Sequence, residues 1–310
     1  MKSPPPPNRP AYGATGAPYG EAGRLVDAGG VQWHVARLGS GPPVLLLHGS
    51  ASSMHAWGGV VSALRGDFEL VLVDLPGHGH SSTMPRRGSV RLDGPDDVAR
   101  ALGALLRAEG VEPVLAAGHS AGAVLAIRAA ARGWLAPGTR LKGLLLLNPA
   151  FGDRDRYLPP IVARPASAVA TSGVAGLVGA SLFRHLPLAE TLLRSTGSVV
   201  SRETRDRYRQ LLSDPARVQG VLRLMAGWDA GGAGHEARSL DIPVRILTGA
   251  RDRWVPPAVV REYAGTLPVT ELAARGHLLP EEDPGAVVHA LRALAREAGV
   301  GKGSGGEGAE

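Results

Sequence analysis

Hydrophobic positions along the chain fall into two patterns. Short unbroken apolar runs occur in "PPVLLLHG", "FELVLVDLPG", "PVLAAGHS", "LKGLLLLNPA" and "PVRILTGA". Runs of this length suit strands buried on both faces of a sheet. "VQWHVARL", Val31 to Leu38, alternates and also predicts a strand, and "VTELAARGH" predicts a weaker one. Between these lie helical patterns. "GPDDVARALGALLRAEG" places Val98, Leu102, Leu105 and Leu106 at helical spacing. An Ala-rich, helix-forming run follows Ser120. Asp283 and Pro284 open a last helix as N-cap and first-turn proline. Apolar strands alternating with helices predict the α/β class: a doubly wound, mostly parallel sheet covered on both faces.

One interval breaks the alternation. Residues 151–240 hold no strand-like run, only helical phrases such as "PLAETLLRSTG", "SRETRDRYRQLLSD" and "PARVQGVLRLMAGWD". They read as a helical insertion, shaped as a lid, between two parts of a core at residues 25–150 and 241–300. The ends, 1–24 and 301–310, are rich in Pro and Gly and lack the apolar residues that offset ordering entropy, so both are expected to be disordered tails. The N-terminus has no apolar h-region of a secretory signal. The longest uncharged run, Pro165 to Phe183, contains Ser, Thr and several Gly. It reads as a buried or ligand-facing helical segment rather than as a membrane span, which needs about 20 predominantly apolar residues.

Composition narrows the function classes. The chain has 310 residues, 44% hydrophobic and 20% charged, as in a soluble globular protein. Its net charge of +6 comes almost entirely from arginine, with Lys only at Lys2, Lys142 and Lys302. The arginines are scattered. The nearest cluster, Arg202, Arg205 and Arg209, reads as a solvated helix face and not as a nucleic-acid stripe. With no cysteine there is no disulfide framework and no thiolate metal site, which fits a reducing compartment. No phosphate-binding G-x-x-x-x-G-K, no dinucleotide G-x-G-x-x-G and no metal-ligand cluster is present, so neither cofactor nor metal is expected.

The chemistry centres on "GHSAG", Gly118 to Gly122. In a chain with 43 glycines a G-x-S-x-G string is weak alone. Here it follows an apolar strand and precedes a helix, the context a nucleophile elbow needs. The two glycines leave room for a strained turn that lifts the Ser120 hydroxyl clear of the sheet. The Ala121 N–H, at the helix start, becomes an oxyanion donor. A serine hydroxyl needs a base. In this architecture the order is nucleophile, acid, histidine, each partner in a loop after a strand. His277, in "AARGHLLPEEDP", is the histidine that lies both in such a loop and after a plausible acid. His289 falls inside the last helix, and His235 precedes the acid loop. Asp252, in "LTGARDRWVPP", is the acid that would orient the imidazole, against the competing reading of an ion pair with Arg251 or Arg253; Asp153 is the fallback.

Other residues are weaker candidates. In "LLLHGSASSMHAW" the N–H of Ser50 or Ala51 is a second oxyanion donor, and His48 reads as a structural residue bonding within its loop. His78-x-His80 resembles a metal pair but lacks further ligands, so it reads as a loop pin. His119 flanks the nucleophile as a pocket residue. Trp57 and Trp228 are candidate substrate-cavity residues, with core packing as the competing reading.

Five ordered motifs, "LLLHGSASSMHAW", "VDLPGHGHS", "GHSAG", "GARDRWVPP" and "RGHLLPEEDP", resemble the α/β-hydrolase superfamily over about residues 25 to 298. A serine at 120 departs from the aspartate that haloalkane dehalogenases and epoxide hydrolases of that superfamily use there. "DAGGVQWHVARLGSGPPVLLLHG", "GHSAGAVLAIRAA", "LLSDPARVQGVLRLMAGWD" and "DRWVPP" further resemble the magnesium chelatase accessory proteins of bacteriochlorophyll biosynthesis. This resemblance implies a cytoplasmic protein of phototrophic bacteria, with magnesium chelatase or a porphyrin as partner. The motifs imply a hydrolase acting on a hydrophobic ester, thioester or amide. Two alternatives stay open: a non-catalytic porphyrin- or chelatase-binding factor, and a lid that touches a membrane peripherally.

Overall fold

The computed structural model describes Tyr19 and residues 22–82, 94–135, 141–153, 173–186 and 188–301. Its centre is an eight-stranded sheet. The strands are β1 (Gly23–Ala28), β2 (Val31–Leu38), β3 (Pro43–Leu47), β4 (Glu69–Val73), β5 (Leu115–His119), β6 (Gly143–Leu147), β9 (Val244–Gly249) and β10 (Val269–Leu272). Their order is β1-β2-β4-β3-β5-β6-β9-β10. The first two pairings, β1 with β2 and β2 with β4, are antiparallel and the remaining five are parallel. This is the mostly parallel α/β architecture that the apolar runs predict.

The continuous apolar runs arise because each strand feeds two cores. In β3, Leu45 and Leu47 enter one cluster while Val44 and Leu46 enter the other, and β4 alternates likewise. The first core is covered by α2 (Pro95–Ala108), α3 (Ala121–Ala131), α8 (Ala233–Arg238) and α9 (Pro257–Ala264). The second lies under α1 (Gly58–Leu64) and α11 (Pro284–Glu297). Asp283 caps α11, its side chain accepting from the Ala286 N–H at 2.9 Å.

The chain leaves the sheet after β6 and returns at β9. In between stand α4 (Gly173–His185), α5 (Leu188–Ser195), α6 (Arg202–Leu212) and α7 (Pro215–Ala226), followed by α8. Two further strands also lie here. β7 (Gly152–Asp153) pairs antiparallel with β8 (Asp229–Ala230), drawing the two ends of the excursion together. At two residues each, they are too short to leave a period-2 signature, and the expectation of no strand in 151–240 is corrected to that extent. α7 rests on the loop after β4 through Arg217, whose guanidinium donates to the Ser81 carbonyl at 2.7 Å. Of the uncharged run 165–183, residues 173–183 belong to α4, which exposes Leu177, Val178 and Leu182. Residues 165–172 lie outside the described residues.

The expected N-terminal tail, 1–24, is also shorter than its composition suggests. Tyr19 is buried in the second core, and β1 begins at Gly23. Gly29 and Gly30, both at positive φ (57° and 82°), make the two-residue turn between β1 and β2. Such a turn matches the twist of a hairpin, and glycine takes its backbone angles without strain. Residues 1–18, 20–21 and 302–310 lie outside the described residues.

Candidate active site

The sheet's carboxyl edge gathers four loops, and the sharpest is at Ser120. β5 ends at His119 and α3 starts at Ala121, so the whole reversal falls on one residue, with φ 52° and ψ −115°. A non-glycine residue there carries backbone strain of order 1–3 kcal/mol, held by its surroundings. The flanking glycines are sterically required. A Cβ on Gly118 would lie 2.4 Å from the Gly122 carbonyl oxygen, and one on Gly122 would lie 2.4 Å from that of Leu47. The Ser120 N–H is held by the Leu147 carbonyl at 2.9 Å.

Three side chains form a hydrogen-bonded chain. His277 Nε2 lies 3.1 Å from Ser120 Oγ, and His277 Nδ1 lies 2.7 Å from Asp252 Oδ2. Ser120 is 8% exposed, His277 2% and Asp252 4%, so the array is largely screened from bulk water. Asp252 is held on both oxygens. Its Oδ1 accepts from the N–H groups of Trp254 and Val255, each at 2.8 Å, and its Oδ2 also accepts from Asn148 Nδ2. A donor-only surrounding suits a carboxylate, whose two oxygens can only accept. With Asp252 Oδ2 accepting, His277 carries its proton on Nδ1 and presents a lone pair to Ser120. Asp153, the fallback acid, lies in β7.

The loop after β3 abuts the elbow. A Cβ on Gly49 would sit 3.0 Å from Ser120 Cβ, and Ala51 has φ 61°. Among the described residues no acceptor takes the N–H of Ser50 or of Ala121. His48 holds this loop from beneath. Its Nδ1 donates to the Gly49 carbonyl at 2.7 Å and its Nε2 accepts from the Leu75 N–H at 3.0 Å. Burial lowers its pKa, so it stays neutral, as that bonding requires.

His78 is pinned within its own loop, Nδ1 donating to the Pro76 carbonyl at 3.0 Å, and His80 belongs to a second pin, centred on Asp74. This fully buried carboxylate accepts from His34 Nδ1 at 2.8 Å and from the N–H groups of Met54 (2.8 Å) and His80 (2.9 Å). Burial alone would raise its pKa; the His34 bond, the neighbouring imidazoles and the Met54 N–H outweigh that and hold it below the carboxylate range. Among the described residues no group of side chains is arranged to hold a metal ion.

The three expected pocket residues are all buried. His119 is buried behind the His277 main chain, its Nε2 donating to the His277 carbonyl at 2.7 Å. Burial first, and the His277 charge second, push its pKa well down. It braces the histidine loop. Trp57 is fully buried in the second core, and Trp228 is buried in the first. Their large apolar area is used in packing.

Sequence reasoning missed the residues that hold the acid and histidine loops. Asn148, at φ 44° in the loop after β6, supports Asp252. The turn after α5 clasps the histidine loop: the Thr196 carbonyl accepts from the His277 N–H at 3.2 Å, and Ser198 Oγ accepts from the Leu278 N–H at 2.8 Å. Trp254 Nε1 donates to Ser195 Oγ at 2.9 Å, tying the acid loop to the same turn. Polar residues in the unpatterned stretch "LLRSTGSVV" gave no sign of this. Asn148 could have been suspected, because it ends an apolar strand facing the acid loop.

Comparison with known proteins agrees with this geometry. Residues 44–290 match the model of the alpha/beta hydrolase family. The magnesium-chelatase 30 kDa subunit of Rhodobacter capsulatus is 31% identical over 269 residues, 85% of this chain and 91% of that protein. The pimeloyl-[acyl-carrier protein] methyl ester esterase of Chromobacterium violaceum is 30% identical over 236 residues, 76% of this chain and 85% of the esterase. Among solved structures, a thermophilic esterase from Thermogutta terrifontis superposes with a TM-score of 0.68 at 24% identity, covering 89% of this chain and 99% of the esterase. An alpha/beta hydrolase fold protein from Burkholderia ambifaria gives 0.69 at 22% identity, over 88% and 98%. The chain belongs to the alpha/beta hydrolase family.

Proposed function

We propose that this chain is a serine hydrolase in which Ser120 attacks a carbonyl carbon and His277 takes its proton. The reading is carried by the 3.1 Å contact between Ser120 Oγ and a His277 whose other nitrogen is held by Asp252. As the Ser120 Oγ–carbon bond forms, the carbonyl π electrons move to oxygen, and the N–H groups of Ser50 and Ala121 stabilise the resulting oxyanion. Collapse of the intermediate expels the leaving group, which takes the proton from His277 Nε2. Water then attacks the acyl-enzyme with His277 again as base, releasing the acid and restoring Ser120. Asp252 fixes the Nδ1–H tautomer and stabilises the imidazolium.

The helices between β6 and β9 act as a lid in this reading, and the apolar character of α4 favours a hydrophobic ester, thioester or amide. The likeness to a magnesium-chelatase subunit supports a place beside porphyrin metallation in bacteriochlorophyll synthesis, in the cytoplasm. The same likeness favours a second reading, a porphyrin- or chelatase-binding factor that does not use its serine. A series of p-nitrophenyl acyl esters separates the two. Turnover that rises with acyl length and vanishes in Ser120→Ala supports the hydrolase. No turnover, with porphyrin binding intact in Ser120→Ala, supports the binding factor.

A further inference from the structure

A buried polar cluster outside the serine array joins the insertion to both catalytic loops. The Tyr208 hydroxyl, on α6, lies 2.8 Å from Glu281 Oε1 and 3.2 Å from Ser52 Oγ. Ser52 belongs to the loop that carries Ser50, and its N–H bonds to the Gly49 carbonyl at 3.3 Å. Glu281 lies on the short helix α10 (Leu279–Glu282), four residues after His277. Tyr208 and Ser52 are buried, and Glu281 Oε2 is buried with no partner among the described residues.

With no donor on Oε2, burial disfavours the charged form of this carboxyl group. No cation pairs with Glu281 among the described residues. The charged groups on the surrounding elements are committed elsewhere: Arg207 on α6 to Glu203, Asp283 to Arg275, and Arg292 on α11 to Asp67. His55, in the 3₁₀ turn Met54–Trp57, lies 3.0 Å from Ser53 Oγ. Glu282, next along, accepts from the Gly276 N–H, and its charge opposes ionisation of Glu281. Burial raises the Glu281 pKa from 4.5 to about 8, with the Tyr208 bond only partly offsetting it.

We propose that Tyr208 and Glu281 are positioning residues, a proton-dependent fastening that seats α6 on the Ser50–Ser52 loop and the histidine loop and is released when Glu281 ionises. With Glu281 neutral, one chain of hydroxyl and carboxyl hydrogen bonds closes the contact. An ionised Glu281 still accepts from Tyr208 on Oε1, but the charge on its buried Oε2 has no donor there and gains one only when α6 moves away and water enters. The linkage has a definite sign. Unfastened, Glu281 titrates near 4.5; fastened, near 8. Seating is therefore strongest below pH 4.5, weakens across the interval and is constant above about pH 8. Only the effect on catalysis rests on the hydrolase reading.

Hydrogen exchange of α6 amides in the full chain, corrected for intrinsic rates, tests the fastening. The opening constant should rise by close to tenfold per pH unit between pH 5 and 8 in the native protein. It should stay flat in Glu281→Gln, which keeps the neutral shape. Tyr208→Phe should raise the opening constant at pH 5 by about tenfold, the worth of one buried hydrogen bond. A flat native profile, or a native-like slope in Glu281→Gln, would overturn the proposal. Fluorophosphonate labelling is run in parallel. If the native protein does not label at any pH the hydrolase reading fails, and the exchange data still decide the fastening. If it labels, Glu281→Gln should change the pH profile of labelling, and an unchanged profile would overturn the positioning role.

Discussion

Asp252→Asn is the most informative single substitution, because the structure fixes how the new amide must sit. All four groups around Asp252 are donors: the Trp254 and Val255 N–H groups on Oδ1, and His277 Nδ1 and Asn148 Nδ2 on Oδ2. An asparagine has one acceptor and one donor end. Turned toward the two backbone N–H groups, its NH2 would leave both without an acceptor, at about 1–3 kcal/mol each. Turned the other way, it meets side chains that can adapt. Asn148 can rotate its amide, since its Oδ1 is buried with no partner. His277 can shift its proton from Nδ1 to Nε2 and accept from the new amide. The second arrangement is the cheaper one. Asp252→Asn should thus fold with a loss of only about 1–2 kcal/mol, yet present Ser120 with an Nε2–H donor in place of a base. Fluorophosphonate labelling at neutral pH should slow by about 10³–10⁴-fold, and 15N NMR should find the His277 proton on Nε2. Labelling within tenfold of native in a folded Asp252→Asn protein would refute this reasoning.

Other expectations are sharp enough to check. Ser120→Gly should be about 1 kcal/mol more stable than Ser120→Ala in denaturant unfolding, because glycine takes φ 52° without strain; equal stabilities would remove the strain argument. Gly122→Ala should cost about 2–3 kcal/mol and abolish labelling, since its Cβ would meet main-chain oxygens of Leu47 and His48 that cannot withdraw. Trp57→Phe and Trp228→Phe should lower the melting temperature and leave the labelling rate within about twofold, as core residues do; a large rate loss without destabilisation would return them to the substrate cavity. Burial lowers the pKa values of His48 and His119, of His55 to about 4 and of His78 to about 3. Each binds protons more readily unfolded than folded. Their contribution to stability should be full above pH 6.5 and fall as pH drops toward 4, by up to about 1.4 kcal/mol per pH unit for each histidine, partly offset by Glu281, whose raised pKa acts in the opposite sense. A melting temperature constant from pH 7 to 4 would contradict those burials.

The parts of this fold that were legible in the sequence are those set by short-range physics. Strands packed on both faces must be apolar throughout, so β3 to β6 and β9 declare themselves. The elbow declares itself because Gly118 and Gly122 are forced by atoms within four residues or one strand away. β1 was missed because it is an edge strand with both faces partly wet, and only the Gly29-Gly30 turn marks it. The supports of the site were missed for another reason. Thr196, Ser198 and Tyr208 reach the histidine loop and the Ser50–Ser52 loop across 73 to 156 residues of chain, and a polar side chain bonded to a distant loop has no local pattern. Trp57, Trp228 and His119 show the opposite error. A large or titratable residue near a motif invites a functional role, and burial area and one main-chain carbonyl are the contacts that these three make among the described residues.

The account's central claim is that Ser120 is an activated nucleophile. It is tested most directly by treating the purified native protein, Ser120→Ala and His277→Ala with a fluorophosphonate and locating the adduct by peptide mass spectrometry. The account predicts a single adduct on Ser120 in the native protein and none in either variant. A folded native protein that takes no adduct, or one that labels as fast without His277, would contradict it.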